Sequence, residues 1–312
     1  MTKLNQFLLM LFMLVVLAVV PLVTHDQYHL YILSRIFIWG TMAMSLFLTI
    51  RTGLFNLGHA AFMALGAYIS AILVTKLSVS FWVTLPIAGI MSVLLSSLIG
   101  IIMIRLKGMY FVLVTASLCE VVKLIIASFP KYTGGYSGIH GIPAPEIFGI
   151  DFGGKIAFYY LVLFFMAISV IFCHRVWHSE IGRIFRGIAA NDGLSESVGI
   201  PTVSYKVMSF ATASFFASLC GSMIIHLSGT IDPLMFGSVA SVNSFLYMVV
   251  GGIGSIFGPL IGAAVSILIE EVFRFMLQFT PAIFGAVVIV ILIFLPGGIV
   301  TFPKRLGDLL RL

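Results

Sequence analysis

The sequence predicts an all-α integral membrane protein of about ten transmembrane helices, with glycine-broken segments in each half. Three observations predict it. First, 61% of the 312 residues are hydrophobic and 9% are charged, against about 45–50% apolar and about 25% charged in soluble domains. Second, long runs contain no Asp, Glu, Lys or Arg. Third, the basic residues divide unevenly between the two ends of those runs. So few charges cannot clothe a water-soluble particle, which excludes a soluble enzyme and a nucleic-acid-binding domain. The net charge of +6 reads as membrane orientation. Residues 1–312 read as a single transmembrane domain.

A helix needs about 20 apolar residues to cross a hydrocarbon core about 30 Å thick. Taken in order, the candidates are Leu4–His25, Ile36–Ile50, Thr52–Thr75, Leu77–Ile104, Gly108–Phe129, Ile156–His174, Val207–Ile231, Pro233–Ile269 and Phe275–Pro303. The first follows a lysine as a signal peptide would, but no small-x-small cleavage site follows it, so it reads as a helix. Gly108–Phe129 is taken through Glu120 and Lys123, three apart on one helical face and able to neutralise each other. Pro233–Ile269 is too long for one crossing and is broken by Gly251-Gly252-Ile253-Gly254 and Gly258-Pro259, so it splits into two short ones.

With the N-terminus inside, the inner segments hold Lys3, Arg51, Arg105, Lys107, Arg175, Arg183, Arg186, Lys206, Lys304, Arg305 and Arg311. The outer ones hold Lys76, Lys131, Lys155 and Arg274. Eleven against four is a positive-inside bias that puts both termini in the cytoplasm. Two segments are longer than turns. Residues 129–155, rich in Gly and Pro, form a folded outer loop. Residues 175–206 form a polar inner loop whose middle suits a short helix along the membrane face.

The two halves correspond weakly. Gly53-Leu54-Phe55-Asn56-Leu57-Gly58-His59 precedes one apolar run and the glycine-rich stretch from Gly251 to Pro259 precedes another. Interrupted hydrophobic segments in matching halves point to a transport path, whereas each glycine singly reads as close helix packing. The candidate path residues are Asn56, His59, Glu120, Gly251, Gly252, Gly254 and Ser255. No ladder of carboxylates or histidines suggests a proton relay.

Other motifs do not assemble. There is no GxxxxGK(S/T) phosphate loop, so ATP and Mg would bind partner subunits and this chain holds no cofactor. Gly135-Tyr136-Ser137-Gly138 with His140 matches an intramembrane-protease motif but lies in the outer loop. The pairs His25/His29 and His174/His178 have metal-ligand spacing without a third ligand and read as interfacial histidines. Cys119, Cys173 and Cys220 lie in apolar stretches and read as small hydrophobes.

Five stretches together are specific. They are Gly53 to Phe62 continuing to Gly66-Ala67-Tyr68; Tyr110-Phe111 with Thr115 and Glu120; Thr133-Gly134-Gly135 with Gly138, Gly141, Ile142 and Pro143; Gly182-Arg183, Asn191-Asp192, Glu196, Gly199-Ile200, Tyr205-Lys206 and Phe210; and Gly251 to Ser255 with Gly258-Pro259, Gly262-Ala263 and Leu295-Pro296-Gly297-Gly298. In these the chain resembles the membrane subunits of branched-chain amino-acid ABC importers, the LivM-like permeases. The resemblance implies a pore-forming subunit in the bacterial inner membrane. It would pair with a second homologous permease, two cytoplasmic ATPases and an external solute-binding protein.

It also implies a cytoplasmic loop that docks on an ATPase, with Arg186, Asn191, Asp192, Glu196, Gly199 and Ile200 as its coupling residues. A short helix there transmits a push as a rigid body, and Gly199 can end it. The chain departs from the family pattern at Ala189-Ala190, at Gly193-Leu194-Ser195 and, in the outer loop, at Tyr136, Ser137 and His140. The reading is therefore a permease subunit, not itself an enzyme, that moves branched-chain or other hydrophobic amino acids. Alternatives are a urea or short-amide importer, a stand-alone secondary carrier or channel, and a membrane-embedded enzyme, which lacks a convergent catalytic set.

Overall fold

In the lipid interior every backbone N–H and C=O must find its partner within the protein, so apolar runs of this length become helices. The computed structural model describes residues 14–22, 26–147 and 150–301. Residues 14–22 (α1) are helical, followed by α2 (Gln27–Ile50), α3 (His59–Leu77), α4 (Phe81–Met103), α5 (Met109–Ala127) and the short α6 (Pro130–Thr133). Then come α7 (Lys155–His178), α8 (Glu180–Ala190), α9 (Asp192–Ser197), α10 (Thr202–Ser228), α11 (Ser238–Gly251), α12 (Gly258–Val272) and α13 (Thr280–Phe294). Among the described residues seven helices are long and apolar enough to cross a membrane. The expected split of Pro233–Ile269 appears as α11 and α12, of 14 and 15 residues. Of the expected first span, residues 14–22 are helical and the remainder lies outside the described residues.

Three boundaries differ from the sequence reading, each for a local reason. The second span starts at Gln27 rather than Ile36, because Asp26 caps it by accepting the Tyr28 N–H at 2.9 Å. Arg35 is thereby drawn into the helix. Thr52–Thr75 is not one helix: residues 51–58 are non-helical, with Gly53 at φ 78° and the Asn56 side chain taking the Gly58 N–H at 2.7 Å. Residues 175–206, read as a loop with one short helix, hold α8, α9 and the start of α10. Phe185 and Ile188 bury one face of α8 while Arg183 and Gly187 face out.

The bundle is built around α2 and α10, most of whose residues are buried, whereas α13 buries only Phe284 and Val288. α3 and α10 approach backbone to backbone: a Cβ added at Gly66 would strike Ser218, and one at Gly221 would strike Met63. Small residues allow this approach, and packing takes the place of a hydrophobic driving force in lipid. One end of the bundle carries Arg51, Arg105, Lys107, Arg175, Arg186 and Lys206 and is called the basic end below. At the opposite end the Gly- and Pro-rich segment is folded as expected. Strand β1 (Ile139–His140) pairs antiparallel with β4 (Thr230–Ile231), and β2 (Glu146–Ile147) pairs with β3 (Ile150–Asp151). Ser137 closes a 3-10 turn and His140 lies opposite Thr230.

Candidate functional site

α3 begins inside the bundle. The Leu57 N–H donates to Thr115 Oγ1 at 3.2 Å, and Cys119 Sγ donates to the Leu57 carbonyl at 3.3 Å. Thr115 and Cys119 lie about 9 and 15 Å along α5 at a rise of about 1.5 Å per residue, so the 51–58 segment dips well below the basic end. α11 enters from the opposite end and also begins at depth, because the Ser238 N–H donates to Glu120 Oε1 at 2.9 Å. Glu120 is paired with Lys123 as the sequence implied, and it additionally caps a helix 118 positions away. The Ala60 N–H then donates to Ser241 Oγ at 2.8 Å, joining the first turns of α3 and α11.

Two helix N-termini, each with partial positive charge, thus converge against α5, and one of them is answered by a carboxylate. His59 is fully buried beside them, its Nε2 2.7 Å from Ser45 Oγ of α2. Asn56 is 1% exposed; its Oδ1 is used by Gly58, while its Nδ2 has no hydrogen-bond partner among the described residues. Of the predicted path residues, Asn56 and His59 thus stand at the start of α3 and Glu120 at the start of α11, the two starts being joined through Ala60 and Ser241. Gly251, Gly252, Gly254 and Ser255 lie elsewhere, in the turn between α11 and α12 at the basic end. There a Cβ on Gly251 would strike Gly258 and one on Gly252 would strike Gly297. Gly254 faces open space, and Ser255 Oγ accepts the Phe257 N–H at 3.3 Å. Arg51 touches this turn, donating from Nη2 to the Ile253 carbonyl at 2.6 Å.

The other predicted group lies at the basic end. Asn191 is extended (φ −159°) and caps α9 by accepting the Leu194 N–H at 3.0 Å. Asp192 pairs with Lys206 at 2.5 Å, and Thr202 Oγ1 donates to Glu196 Oε1 at 2.6 Å, so α9 is clipped twice to the first turns of α10. Gly199 turns the chain at φ 86°, and the Ile200 N–H returns to the Ser195 carbonyl at 3.1 Å. Arg186 donates to the Trp177 carbonyl at 3.0 Å and lies over the Trp177 ring, which Arg51 also stacks on. Burial and then the Arg186 charge lower the Arg51 pKa from its usual value.

With both its carboxylates spent on α10, α9 and the residue that follows it present Leu194 and Val198, 65% and 69% exposed and one turn apart. From the sequence Leu194 stood only as a departure from the family pattern and Lys206 only as an inner basic residue and part of the fourth stretch, while Val198 and Thr202 were not singled out. The i, i+4 apolar spacing in a polar segment was the available signal. A cavity of about 260 Å³ lies between residues 52–55, the α4–α5 turn and the α8–α9 junction.

A helical bundle with two helices that begin inside the membrane is the architecture of a multi-pass transport protein. The profile of one such family, described as branched-chain amino acid transport system / permease component, matches residues 28–296, and the chain belongs to that family. It is similar to the high-affinity branched-chain amino acid transport system permease protein LivM of Salmonella typhimurium. The two are 27% identical over 276 residues, which is 81% of this chain and 65% of that protein. The Escherichia coli K12 LivM matches to the same extent. Over 129 residues, 41% of this chain and 42% of the relative, it is 28% identical to the Escherichia coli K12 permease protein LivH. The chain thus spans slightly under two thirds of its LivM relatives. No solved structure matches it.

Proposed function

We propose that the chain is one membrane half of an ATP-driven importer for branched-chain or similar hydrophobic amino acids. In this reading 1–312 is one domain in the bacterial inner membrane, with the basic end and both termini in the cytoplasm. A second homologous permease completes the pore, two ATPases carry ATP and Mg, and an external binding protein delivers the solute. The permease names of the LivM and LivH relatives support the solute class.

The observation that carries the proposal is the double clip of α9 to α10 by Asp192–Lys206 and Glu196–Thr202. α9 sits at the basic end with an apolar pair outward, a shape suited to a groove on an ATPase. A displacement of α9 passes to α10 through these two contacts, and α10 packs against α2, α3 and α4 at the centre of the bundle. Motion of α10 would then shift α3, whose start is joined to that of α11 through Ala60 and Ser241, where the solute passes. The glycine turn at 251–255 serves as a fixed joint beside that path.

Uptake of leucine into proteoliposomes, with the chain co-purified with its partners in mild detergent, tests the proposal. Leu194→Asp with Val198→Asp is expected to abolish ATP-driven uptake and ATPase recovery while the chain still inserts. Purified chain that transports without an ATPase would overturn the reading in favour of a carrier or channel. Uptake competed by urea and not by leucine would replace the solute class.

A further inference from the structure

At the basic end two guanidinium groups share one indole. Arg51 lies 4.4 Å and Arg186 4.7 Å from the Trp177 ring centre, and Phe47 packs beneath at 5.3 Å from the same ring. Among the described residues neither arginine pairs with a carboxylate; every ion pair involves other side chains. Each guanidinium has five N–H donors. Arg51 spends one on the Ile253 carbonyl and Arg186 one on the Trp177 carbonyl, both neutral acceptors. Two uncompensated cations held side by side in a half-buried place form a seat for an anion.

A crevice of about 230 Å³, lined by none of Arg51, Arg186, Trp177 and Phe47, lies farther along the bundle. It is walled throughout by apolar side chains of α1, α2, α7, α12 and the N-cap Phe257, among them Leu14, Leu17, Phe37, Val170 and Ala264. It lies over α2 between α7 and α12, the two elements that Arg51 ties together below by touching Trp177 at the end of α7 and Ile253 ahead of α12. Trp177 is two helical turns beyond Val170, so it falls on nearly the same face of α7 and about 10 Å nearer the basic end. Ile253 precedes the crevice residue Phe257 by one turn of chain. Charge at the membrane boundary and a dry groove at acyl-chain depth therefore share one line along the bundle.

We propose that this line holds an anionic phospholipid, its phosphate between Arg51 and Arg186 and one acyl chain in the α2–α7–α12 crevice. A free phosphate would use only the lower half of the site, and an acidic protein side chain would leave the groove above it unfilled. Basic pockets between helices at the boundary are places where lipid headgroups are held.

The test is native mass spectrometry of the chain, with whatever subunits accompany it, released from nanodiscs of phosphatidylglycerol mixed with phosphatidylcholine. Retention of one phosphatidylglycerol in preference to phosphatidylcholine is expected. Arg51→Gln with Arg186→Gln should weaken it by about fivefold per charge removed, the scale of one basic residue at an anionic surface. Arg51→Lys with Arg186→Lys should restore it, which separates loss of charge from loss of fold. Ala264→Trp, which fills the groove and leaves both arginines in place, should also expel the lipid. Equal retention of the two lipids, or retention unchanged in the double Gln variant, would overturn the proposal. So would displacement by inorganic phosphate, or retention unchanged by Ala264→Trp.

Discussion

The chain breaks its helices twice near the basic end, at 51–58 and at 252–257, and the two breaks are built differently. The first is held by side chains: Asn56 takes Gly58, Thr115 takes Leu57, and Ser241 takes Ala60 one residue into α3. The second is closed by backbone packed on backbone, Gly251 against Gly258, Gly262 against Tyr247 and Gly252 against Gly298, with Arg51 on the Ile253 carbonyl and Ser255 on the Phe257 N–H as its side-chain contacts. Both satisfy the need to pair interrupted backbone away from water. Side-chain hydrogen bonds can be exchanged for bonds to water or solute, while a glycine contact admits nothing between its surfaces. The first break is thus suited to a path and the second to a joint, although both read as glycine-rich interruptions ahead of an apolar run.

The largest effect is expected at the joint. Gly262→Leu would put a side chain onto the Tyr247 carbonyl and the Gly251 amide, neither of which can give way. Overpacking of a core costs about 1–3 kcal/mol and more where backbone must move. The expected outcome is a chain that inserts but loses its folded signal, read as a collapsed thermal transition in detergent. A transition within a few degrees of the parent would show that the joint is not close-packed.

Glu120 comes next. Glu120→Ala strips the Ser238 N–H of its acceptor and leaves Lys123 without its partner. Loss of a helix cap costs about 1 kcal/mol, and the stranded ammonium adds to it. Glu120→Gln keeps an acceptor for Ser238 and should recover the cap but not the ion pair. The same thermal measurement should order the three chains parent, Gln, Ala.

A smaller effect on stability and a large one on coupling are expected at the α9 clip. Lys206→Met with Thr202→Val removes both contacts to α9 while keeping similar volume. Partly exposed ion pairs contribute about 0–1 kcal/mol, so the fold should persist. The number of solutes imported per ATP hydrolysed, measured in proteoliposomes, should fall severalfold if α9 drives α10. Unchanged stoichiometry would mean that the push travels by α8 instead.

Much of this architecture was legible because it is local. Charge-free runs located α2 to α4, α7 and α10, a run interrupted only by the Glu120/Lys123 pair located α5, and the glycines at 251–258 located the split between α11 and α12. Gly199 was in the right place to end a short helix, whereas the cap that Asn191 supplies to α9 appears only in the structure. What could not be read depends on partners far along the chain. Nothing local says that Glu120 meets Ser238, that Ser241 holds Ala60, or that α3 starts about 9 Å or more below the basic end rather than at it. The matched glycine stretches suggested that both line one path. Only the three-dimensional partners separate them, since a glycine against a side chain and a glycine against a glycine read alike in sequence.

The finest test of the comparison is Asn56, where stability and transport should separate. Its Oδ1 holds the Gly58 N–H at 2.7 Å and its Nδ2 has no hydrogen-bond partner among the described residues. Asn56→Ala removes both and should lower stability by about 1 kcal/mol, the net value of one hydrogen bond. Asn56→Ser keeps a side-chain oxygen able to take the Gly58 N–H and removes the Nδ2 donors without burying a charge, so the 51–58 turn should survive. If a solute or its water meets Nδ2 on the way through, both variants lose uptake, and Asn56→Ser does so with its thermal transition near that of the parent. If Asn56 only caps the turn, uptake follows stability, and Asn56→Ser transports like the parent. That second pattern would make the first break a joint like the other, and the path would have to be sought along the exposed face of α5 instead.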